Sequence, residues 1–481
     1  MLKNLKFYIE KYSIPLTLSL AILLGVILRL YGLTFQSYWF DELFSVKLSN
    51  PIHSLSYVYD HTMGDVHPPF YQSLLWLWYQ IFGFSEYSGR VLSALAGIFS
   101  IYAIYALAKE LYNREVAVYS AFIVATNYFA ILYSQEVRSN IFMLLFSILS
   151  YLYFIRVTKD NSKLNLFLYL LFSLLLMYTH YFGFFLVATQ LFVFLYYIIE
   201  DRDTRAKLFK LALIAGGLMF VALLPLFQRI LEHIHTSSYW MPSPSPLFFI
   251  DYMKAYVLSP FLYKIFLALL LMSIISIFIK KIEYKKSTIT LLLWAIFAYL
   301  LPYLKSITGF SILIDRSTII VIPALAILVS YGIYLLRINY IKIATLLAII
   351  FFALYHIYRM DYYIKVSKDQ FRETLNEIIN INSSVDVYDF VYSGESFKAQ
   401  ADLNSIDINI YSLKRLKELD RKGNIPKCFW AVHGHKDFIS TASILRKEGM
   451  VKVYTINKFQ AQAFLYAYKT DPKICLKANN E

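Results

Sequence analysis

The stretch IPLTLSLAILLGVILRLYGL, residues 14–33, decides the fold class of this chain. It contains a single charged side chain, Arg29, and a helix of about 20 apolar residues spans the roughly 30 Å hydrocarbon core of a bilayer. Similar runs recur along the 481 residues, of which 58% are hydrophobic. Because a helix satisfies its own backbone hydrogen bonds in lipid, the sequence predicts a polytopic α-helical membrane protein. The run is too long for a cleaved signal peptide and lacks a small-residue cleavage site, so we expect it to be retained.

Charge sets the predicted topology. The run 70–84 is short and rich in Trp and Tyr, so we expect an interfacial helix there that does not cross the membrane. With the N-terminus in the cytoplasm, the cytoplasmic loops then carry about twice as many Lys and Arg residues as the outer loops. This bias explains the formal charge of +14 without nucleic-acid binding. The predicted spanning helices, eleven in all, lie near residues 14–33, 87–108, 115–133, 139–157, 164–179, 181–199, 208–227, 258–279, 287–304, 317–336 and 341–358.

The composition changes after about residue 358, where charged residues appear at short spacing. Short β-type runs (VDVYDFVYS, KCFWAVHG, VKVYTI, QAFLYAY) alternate there with helix-like segments (SLKRLKELDRK, FISTASILRKEG). We therefore expect a transmembrane module over residues 1–358, with 34–86 as an outer loop carrying interfacial helices, and an extracytoplasmic α/β domain over residues 359–481.

Both cysteines, Cys428 and Cys475, lie in this last segment. A disulfide between them requires an oxidising compartment, which the predicted outer location supplies. Cysteine number alone leaves open whether the bond forms.

Nearly all unusual ionisable groups of the membrane module fall on the predicted outer face, at the ends of different helices. Helix ends far apart in sequence can meet in space and build one pocket. The acidic pair at 41–42 lies in SYWFDELFS, residues 37–45, at the predicted outer boundary. The other members are Asp65, His67, Glu136, Arg138, His180, His233, His235, Asp315 and Arg316.

Each group also has a structural interpretation. Acids favour the start of a helix, which alone explains Asp41 and Glu42. His67 precedes two prolines that fix the backbone whatever the histidine does. The spacing of His233 and His235 fits metal binding but is a weak signal. Arg138, at the start of an apolar helix, either extends to the membrane surface or pairs with an anion such as phosphate, which suits a guanidinium.

The motifs together resemble the dolichyl-phosphate-mannose–protein mannosyltransferase-like superfamily, which has the GT-C fold and includes the aminoarabinose transferases of lipid A. The resemblance covers about residues 10 to 340. It rests on the order DE (41–42), HPPFYQSLLWLWYQIFG (67–83), Arg90, YSQEVRSN (133–140), THYFG (179–183) and DRSTIIVIPALAIL (315–328).

The resemblance implies the site residues. Asp41 matches the family's acid in the first outer loop, as base or acceptor-orienting group, with Glu42 beside it. Arg138, His180 and Arg316 take the positions that bind the donor phosphate. Asp65 and His67 match a motif that holds a divalent metal in some members. Glu136, Tyr181 and Trp39 are expected to contact substrate.

The implied reaction moves a sugar from a polyprenyl-phosphate carrier to a hydroxyl of a lipid, glycan or protein acceptor, with inversion, on the outer face of the plasma membrane. Such a donor needs no nucleotide cofactor, and the sequence has no P-loop or dinucleotide fingerprint. A transporter or flippase for lipid-linked sugars is the main alternative, although the predicted helix centres carry almost no charge. A membrane scaffold that presents the outer domain would leave the acidic pair unexplained.

Overall fold

The computed structural model describes residues 2–65, 67–160, 162–234, 241–279, 283–391, 395–434, 449–470 and 475, with only the backbone described for residues 2–14, 230, 233 and 234. Most of the chain up to residue 359 is helical. The helices of this part are α1 Leu2–Leu30, α2 Phe40–Leu48, α3 Leu55–Met63, α4 Phe70–Phe82, α5 Glu86–Leu111, α6 Arg114–Thr126, α7 Tyr128–Ser134, α8 Asn140–Asp160, α9 Lys163–Thr179, α10 Phe182–Glu200, α11 Arg205–Ile234, α12 Phe248–Val257, α13 Pro260–Ser276, α14 Lys285–Thr308, a 3₁₀ helix Asp315–Val321, α15 Ile322–Tyr334 and α16 Asn339–Arg359.

A polytopic helical membrane protein is confirmed. Within the described residues, seven helices are long and apolar enough to cross a bilayer, or up to nine if each of two bent pairs is one span. Two shorter apolar helices, Pro15–Leu30 and Lys163–Thr179, occupy the other predicted positions, so a total of eleven crossings stays a prediction. The α4 helix has 13 residues and a length of about 20 Å, too short to cross alone.

The two bent pairs have local causes. The α6 and α7 helices meet at 57°, where the side chain of Asn127 accepts a hydrogen bond from the N–H of Ala130 and so caps α7. The same side chain donates to the carbonyl of Tyr256 in α12. The α12 and α13 helices meet at 114°, where Leu258 has a positive φ and Pro260 begins α13. Each break therefore coincides with a capping side chain, a positive φ or a proline at that point of the chain.

The structure divides into two compact units, each of which combines distant segments. The first contains Met1–Tyr31, Tyr59–Ser73 and Val91–Tyr362. The second contains Gly32–Val58, Leu74–Arg90 and Tyr363–Glu481. The segment that carries the acidic pair therefore belongs to the same unit as the C-terminal region.

The C-terminal region contains a mixed five-stranded sheet in the order β2-β1-β3-β5-β4. The first three strands are parallel, and β5 pairs antiparallel with β3 and β4. The sequence predicted four of these strands and missed the short β2; the predicted helix FISTASILRKEG lies almost entirely outside the described residues. The strands are β1 Val387–Asp389, β2 Ile410–Ser412, β3 Cys428–Gly434, β4 Met450–Lys458 and β5 Ala461–Tyr468, and the helices are α17 Phe371–Asn382, α18 Ser396–Leu403 and α19 Leu413–Arg421.

Cys428 and Cys475 form a disulfide in this region. Cys428 begins β3, and the fully buried Cys475 lies near the C-terminus of the chain. The bond ties the end of the chain to the centre of the sheet.

Candidate active site

Three side chains of the first unit form a hydrogen-bonded row. His67 Nδ1 lies 3.1 Å from Asp65 Oδ2, and His67 Nε2 lies 3.5 Å from Arg138 Nη2. A guanidinium only donates hydrogen bonds, so Nε2 accepts and the ring hydrogen lies on Nδ1, where it is donated to Asp65. The carboxylate thus fixes the tautomer of His67, and His67 in turn orients Arg138.

His180 lies against this row. It ends α9, and its ring meets that of His67 edge to face, with 5.5 Å between centroids. Its Nδ1 accepts the N–H of Phe182 at 3.1 Å, so the ring hydrogen lies on Nε2. Burial, with the nearby positive charges of Arg138 and Arg316, holds the pKa of His180 well below its usual value of 6.5. His180 is therefore a neutral donor and not a cation.

The start of α8 adds positive potential. Arg138 lies two residues before the start of this 21-residue helix and is 7% exposed. Asn140, the first residue of α8, donates through Nδ2 to the carbonyl of Arg316 at 3.3 Å. A helix N-terminus carries partial positive charge and binds anions through its N–H groups. Two arginines, a neutral imidazole donor and a helix N-terminus thus belong to one cluster, the cationic cluster of Arg138, His180, Arg316 and the α8 N-terminus.

Two predicted substrate residues border this cluster. Glu136 is buried, and it interacts electrostatically with Tyr133, as do Asp315 and Arg316. Tyr181 precedes α10, and burial raises the pKa of its phenol to about 12, so it is a hydroxyl donor at neutral pH. The first unit therefore brings together Asp65, His67, Glu136, Arg138, His180, Tyr181 and Arg316.

A pair of buried side chains, not predicted as functional from the sequence, supports the YSQEVRSN motif. Arg29 donates to the carbonyls of Ala125 and Val124, at 2.9 and 3.0 Å, near the C-terminal end of α6. Gln135 donates from Nε2 to the carbonyls at the end of α1, closest to that of Tyr31 at 2.8 Å. Arg29 thus caps α6, and Gln135 caps α1, the helix that contains Arg29. The only signal in the sequence was an arginine inside an apolar run.

The donor geometry of the described residues does not fit a metal ion. Asp65 and His67 bond to each other instead of converging on one point, and the Nε2 atom that a metal would use faces Arg138. No group of three His, Cys, Asp or Glu side chains suited to a metal occurs in the part of the chain that the structure describes. His235 and the side chain of His233 lie outside the described residues.

The acidic pair lies in the second unit, at the first turn of α2. Trp39 precedes the helix, and its N–H donates to the Glu42 carboxylate at 3.4 Å. Asp41 is partly exposed, whereas Glu42 is fully buried and bonded to Arg90 and Lys368. The two adjacent acids thus have different surroundings, and Asp41 is the one that solvent reaches.

A known family model matches about a third of the chain. The family model described as dolichyl-phosphate-mannose-protein mannosyltransferase matches residues 66–227. That range contains His67, Arg138 and His180. A search of curated proteins gave no match.

Solved structures share the fold over most of the chain. ArnT from Cupriavidus metallidurans, bound to undecaprenyl phosphate, is 12% identical, with a TM-score of 0.63, covering 94% of this chain and 98% of its own. The Archaeoglobus fulgidus oligosaccharyltransferase, tethered to an acceptor peptide, is 13% identical, with a TM-score of 0.57, covering 89% of this chain and 70% of its own. The same enzyme with zinc and sulfate has a TM-score of 0.54 at 13% identity, covering 86% and 67%. The chain thus has the GT-C fold of these membrane proteins, and its residues 66–227 match the family model described as dolichyl-phosphate-mannose-protein mannosyltransferase.

Proposed function

We propose that the protein transfers a hexosyl or pentosyl group from a polyprenyl-phosphate-linked donor to an acceptor hydroxyl, with inversion. The cationic cluster is the observation that carries this proposal. Arg138 is held by His67 at the N-terminus of α8, with His180 and Arg316 around it. Such a cluster suits a phosphate whose negative charge grows during the reaction. A polyprenyl-phosphate donor has that phosphate at its reacting end, and undecaprenyl phosphate is bound in the related ArnT structure.

The proposed steps balance without a nucleotide or a metal. The acceptor oxygen attacks the anomeric carbon and loses its proton to Asp41, while the bond from that carbon to the phosphate oxygen breaks. Polyprenyl phosphate leaves with the bonding electrons. Arg138 and the Nε2–H of His180 stabilise the additional negative charge on the phosphate. The role of Asp41 rests on the family resemblance and on its partly exposed place in the first turn of α2.

The proposed donor and the disulfide both support one location. We propose a plasma-membrane protein with a cytoplasmic N-terminus and an extracytoplasmic site and C-terminal domain. The Cys428–Cys475 bond supports this orientation because disulfides persist in oxidising compartments.

A transfer assay in reconstituted lipid tests the proposal. Wild-type protein is offered a panel of polyprenyl-phosphate sugars with a host membrane extract as acceptor, with and without EDTA. We expect Asp41→Asn to abolish transfer and Arg138→Gln to lower it by about a hundredfold, since a lost charge-assisted hydrogen bond costs about 2–3 kcal/mol. Asp60→Asn and Arg114→Gln, at exposed positions in α3 and α6, are the matched controls. Full transfer by folded Asp41→Asn protein contradicts the proposed base.

The two bent helix pairs favour a second candidate, a flippase for lipid-linked sugars. Broken helices line substrate sites in many transporters. The same vesicles distinguish the two activities. Movement of labelled donor between leaflets, without sugar transfer and unchanged in Asp41→Asn, would establish the flippase.

A further inference from the structure

A short segment of the C-terminal region lies along the segment that carries the acidic pair. We name residues 367–372, SKDQFR, the clasp, and residues 34–42, TFQSYWFDE, the acidic turn. Both belong to the second unit. More than 320 residues of sequence separate them, as the spacing of 332 between Gln36 and Lys368 shows.

Hydrogen bonds between side chains and backbone groups fix the position of the clasp along the acidic turn. Gln36 Oε1 accepts from the N–H groups of Ser367 and Lys368, at 2.9 and 2.8 Å. At the other end, Arg372 donates to the carbonyls of Thr34 and Phe35, both at 3.2 Å. The two segments are thus joined at more than one point along their length.

Asp369 reaches the start of α2. Its Oδ2 accepts the N–H of Phe40, the first residue of the helix, at 3.1 Å, and its carbonyl accepts the hydroxyl of Ser37. Asp369 is 2% exposed. Its carboxylate therefore acts as a helix cap supplied from a distant part of the chain.

Lys368 supplies charge to the same turn. Its Nζ lies 3.0 Å from Oε2 of the fully buried Glu42. A buried carboxylate is costly unless it is paired, and Lys368 is its second cation after Arg90. Asp369 and Lys368 thus bind Phe40 and Glu42, the residues on either side of Asp41.

We propose that the clasp positions Asp41 for catalysis, so that the C-terminal region is a working part of the active site through Lys368 and Asp369. This proposal rests on the proposed function, in which Asp41 takes the acceptor proton. The clasp bonds to both neighbours of Asp41 and so restricts the movement of the Asp41 backbone. Lys368 and Asp369 are positioning residues, since neither has to touch the substrate.

The test combines hydrogen exchange with kinetics on the full-length protein. Asp369→Ala removes the cap and Lys368→Met removes the charge, whereas Asp369→Asn and Lys368→Arg retain part of each interaction. Lys365→Met, at an exposed position just before the clasp, is the control. We expect amide exchange in residues 40–48 to accelerate about fivefold in Asp369→Ala, the effect of losing one cap.

The kinetic readout separates positioning from mere stability. We expect kcat to fall about tenfold to a hundredfold in Lys368→Met and Asp369→Ala, because small displacements of a reacting group are costly. The donor KM should change less than about twofold, and Lys368→Arg and Asp369→Asn should recover most of the loss. If Lys368→Met does not fold, Lys368→Arg and the two Asp369 variants still test the positioning role.

Failure of the positioning role can be distinguished from failure of the proposed function. If exchange in residues 40–48 accelerates but no donor is turned over by wild type, the clasp holds the turn and the proposed function is wrong. If wild type transfers sugar and the clasp variants keep its kcat, the positioning role is wrong. Unchanged exchange in Asp369→Ala also overturns the proposal.

Discussion

Glu42 accepts two hydrogen bonds from the guanidinium of Arg90, at 3.2 Å from Nε and 3.1 Å from Nη2, and neither side chain is more than 2% exposed. Arg90 also donates to the carbonyls of Leu33 and Gln36, both at 2.6 Å. The arginine thus connects the first residues of α5 to the segment before α2. We assign Glu42 to this structural pair and leave Asp41 as the candidate base.

The first prediction concerns this pair. Arg90→Met should lower the free energy of unfolding by about 3–5 kcal/mol, because it removes one partner of a buried ion pair and leaves Glu42 charged with Lys368 alone. Thermal unfolding in detergent, followed by tryptophan fluorescence, measures the effect. Adding Glu42→Gln to Arg90→Met should recover part of the loss, since the uncompensated charge is removed. Arg114→Met, at an exposed position, should leave the unfolding temperature unchanged.

The sequence predicted the positions of the membrane helices because an apolar run of this length has few alternatives to a helix. Every predicted run, including 317–336, overlaps with helix over most of its length in the structure. Within the C-terminal region, strands β3 and β5 were predicted because their apolar residues form compact runs. The three-residue β2 was missed because so short a segment carries no periodicity.

The hydrogen bonds within the site could not be predicted. The sequence predicted Asp65 and His67 as possible metal ligands and Arg138 as a phosphate-binding residue, and the structure joins the three in one hydrogen-bonded row. Their hydrogen bonds depend on which ring atom faces which neighbour, and spacing along the chain cannot supply that. No pattern in the sequence indicated a role for Lys368 and Asp369, because their partners lie more than 320 residues away along the chain.

The second prediction concerns the disulfide. Cys428→Ser with Cys475→Ser should lower the stability of the C-terminal region by about 2–4 kcal/mol, since the bond closes a loop with a sequence separation of 47. The loss should appear as a lower unfolding temperature, which a reductant reproduces in wild type but not in the double variant. Maleimide labelling of denatured protein from cells should find both thiols protected. Labelling of both thiols would place the region in a reducing compartment.

The third prediction concerns Arg29. Arg29→Lys keeps the charge but loses the planar fork that reaches the carbonyls of Val124 and Ala125. We expect the free energy of unfolding to fall by about 1–3 kcal/mol, the cost of leaving a buried acceptor unsatisfied. Sugar transfer should fall as well, because Arg29 and Gln135 support the YSQEVRSN motif, which also contains Arg138. An unchanged unfolding temperature would show that water or another group replaces the guanidinium.

The fourth prediction is a pH dependence in the C-terminal sheet. Burial lowers the pKa of His433 to about 4, so between pH 6.5 and 4 the unfolded state binds the extra proton and stability falls as pH falls. Burial raises the pKa of Asp389 to about 7, so between about pH 4 and 7 the folded state binds the extra proton and stability falls as pH rises. The two effects oppose each other in wild type.

Single variants should show the pH dependence of stability that each residue causes. His433→Phe should melt at lower temperature as pH rises from 4.5 to 6.5, because Asp389 remains. Asp389→Asn should melt at lower temperature as pH falls over the same range, because His433 remains. Unfolding temperatures measured at both pH values decide. Slopes of the same sign in the two variants would refute the assignment.

The fifth prediction concerns Asp65, which fixes the tautomer of His67. In Asp65→Leu no carboxylate holds the ring hydrogen of His67 on Nδ1. The hydrogen can then move to Nε2, which no longer accepts a hydrogen bond from Arg138. We expect kcat to fall about thirtyfold, since a hydrogen bond to a charged group contributes about 2 kcal/mol. Asp65→Asn, whose amide oxygen still accepts from Nδ1, should lose less of its kcat, and Asp60→Asn should have the kcat of wild type.

Added divalent cation distinguishes this role from metal binding. Excess cation that restores the Asp65→Asn variant would identify Asp65 as a ligand, whereas a fixed loss at every cation concentration supports the tautomer role.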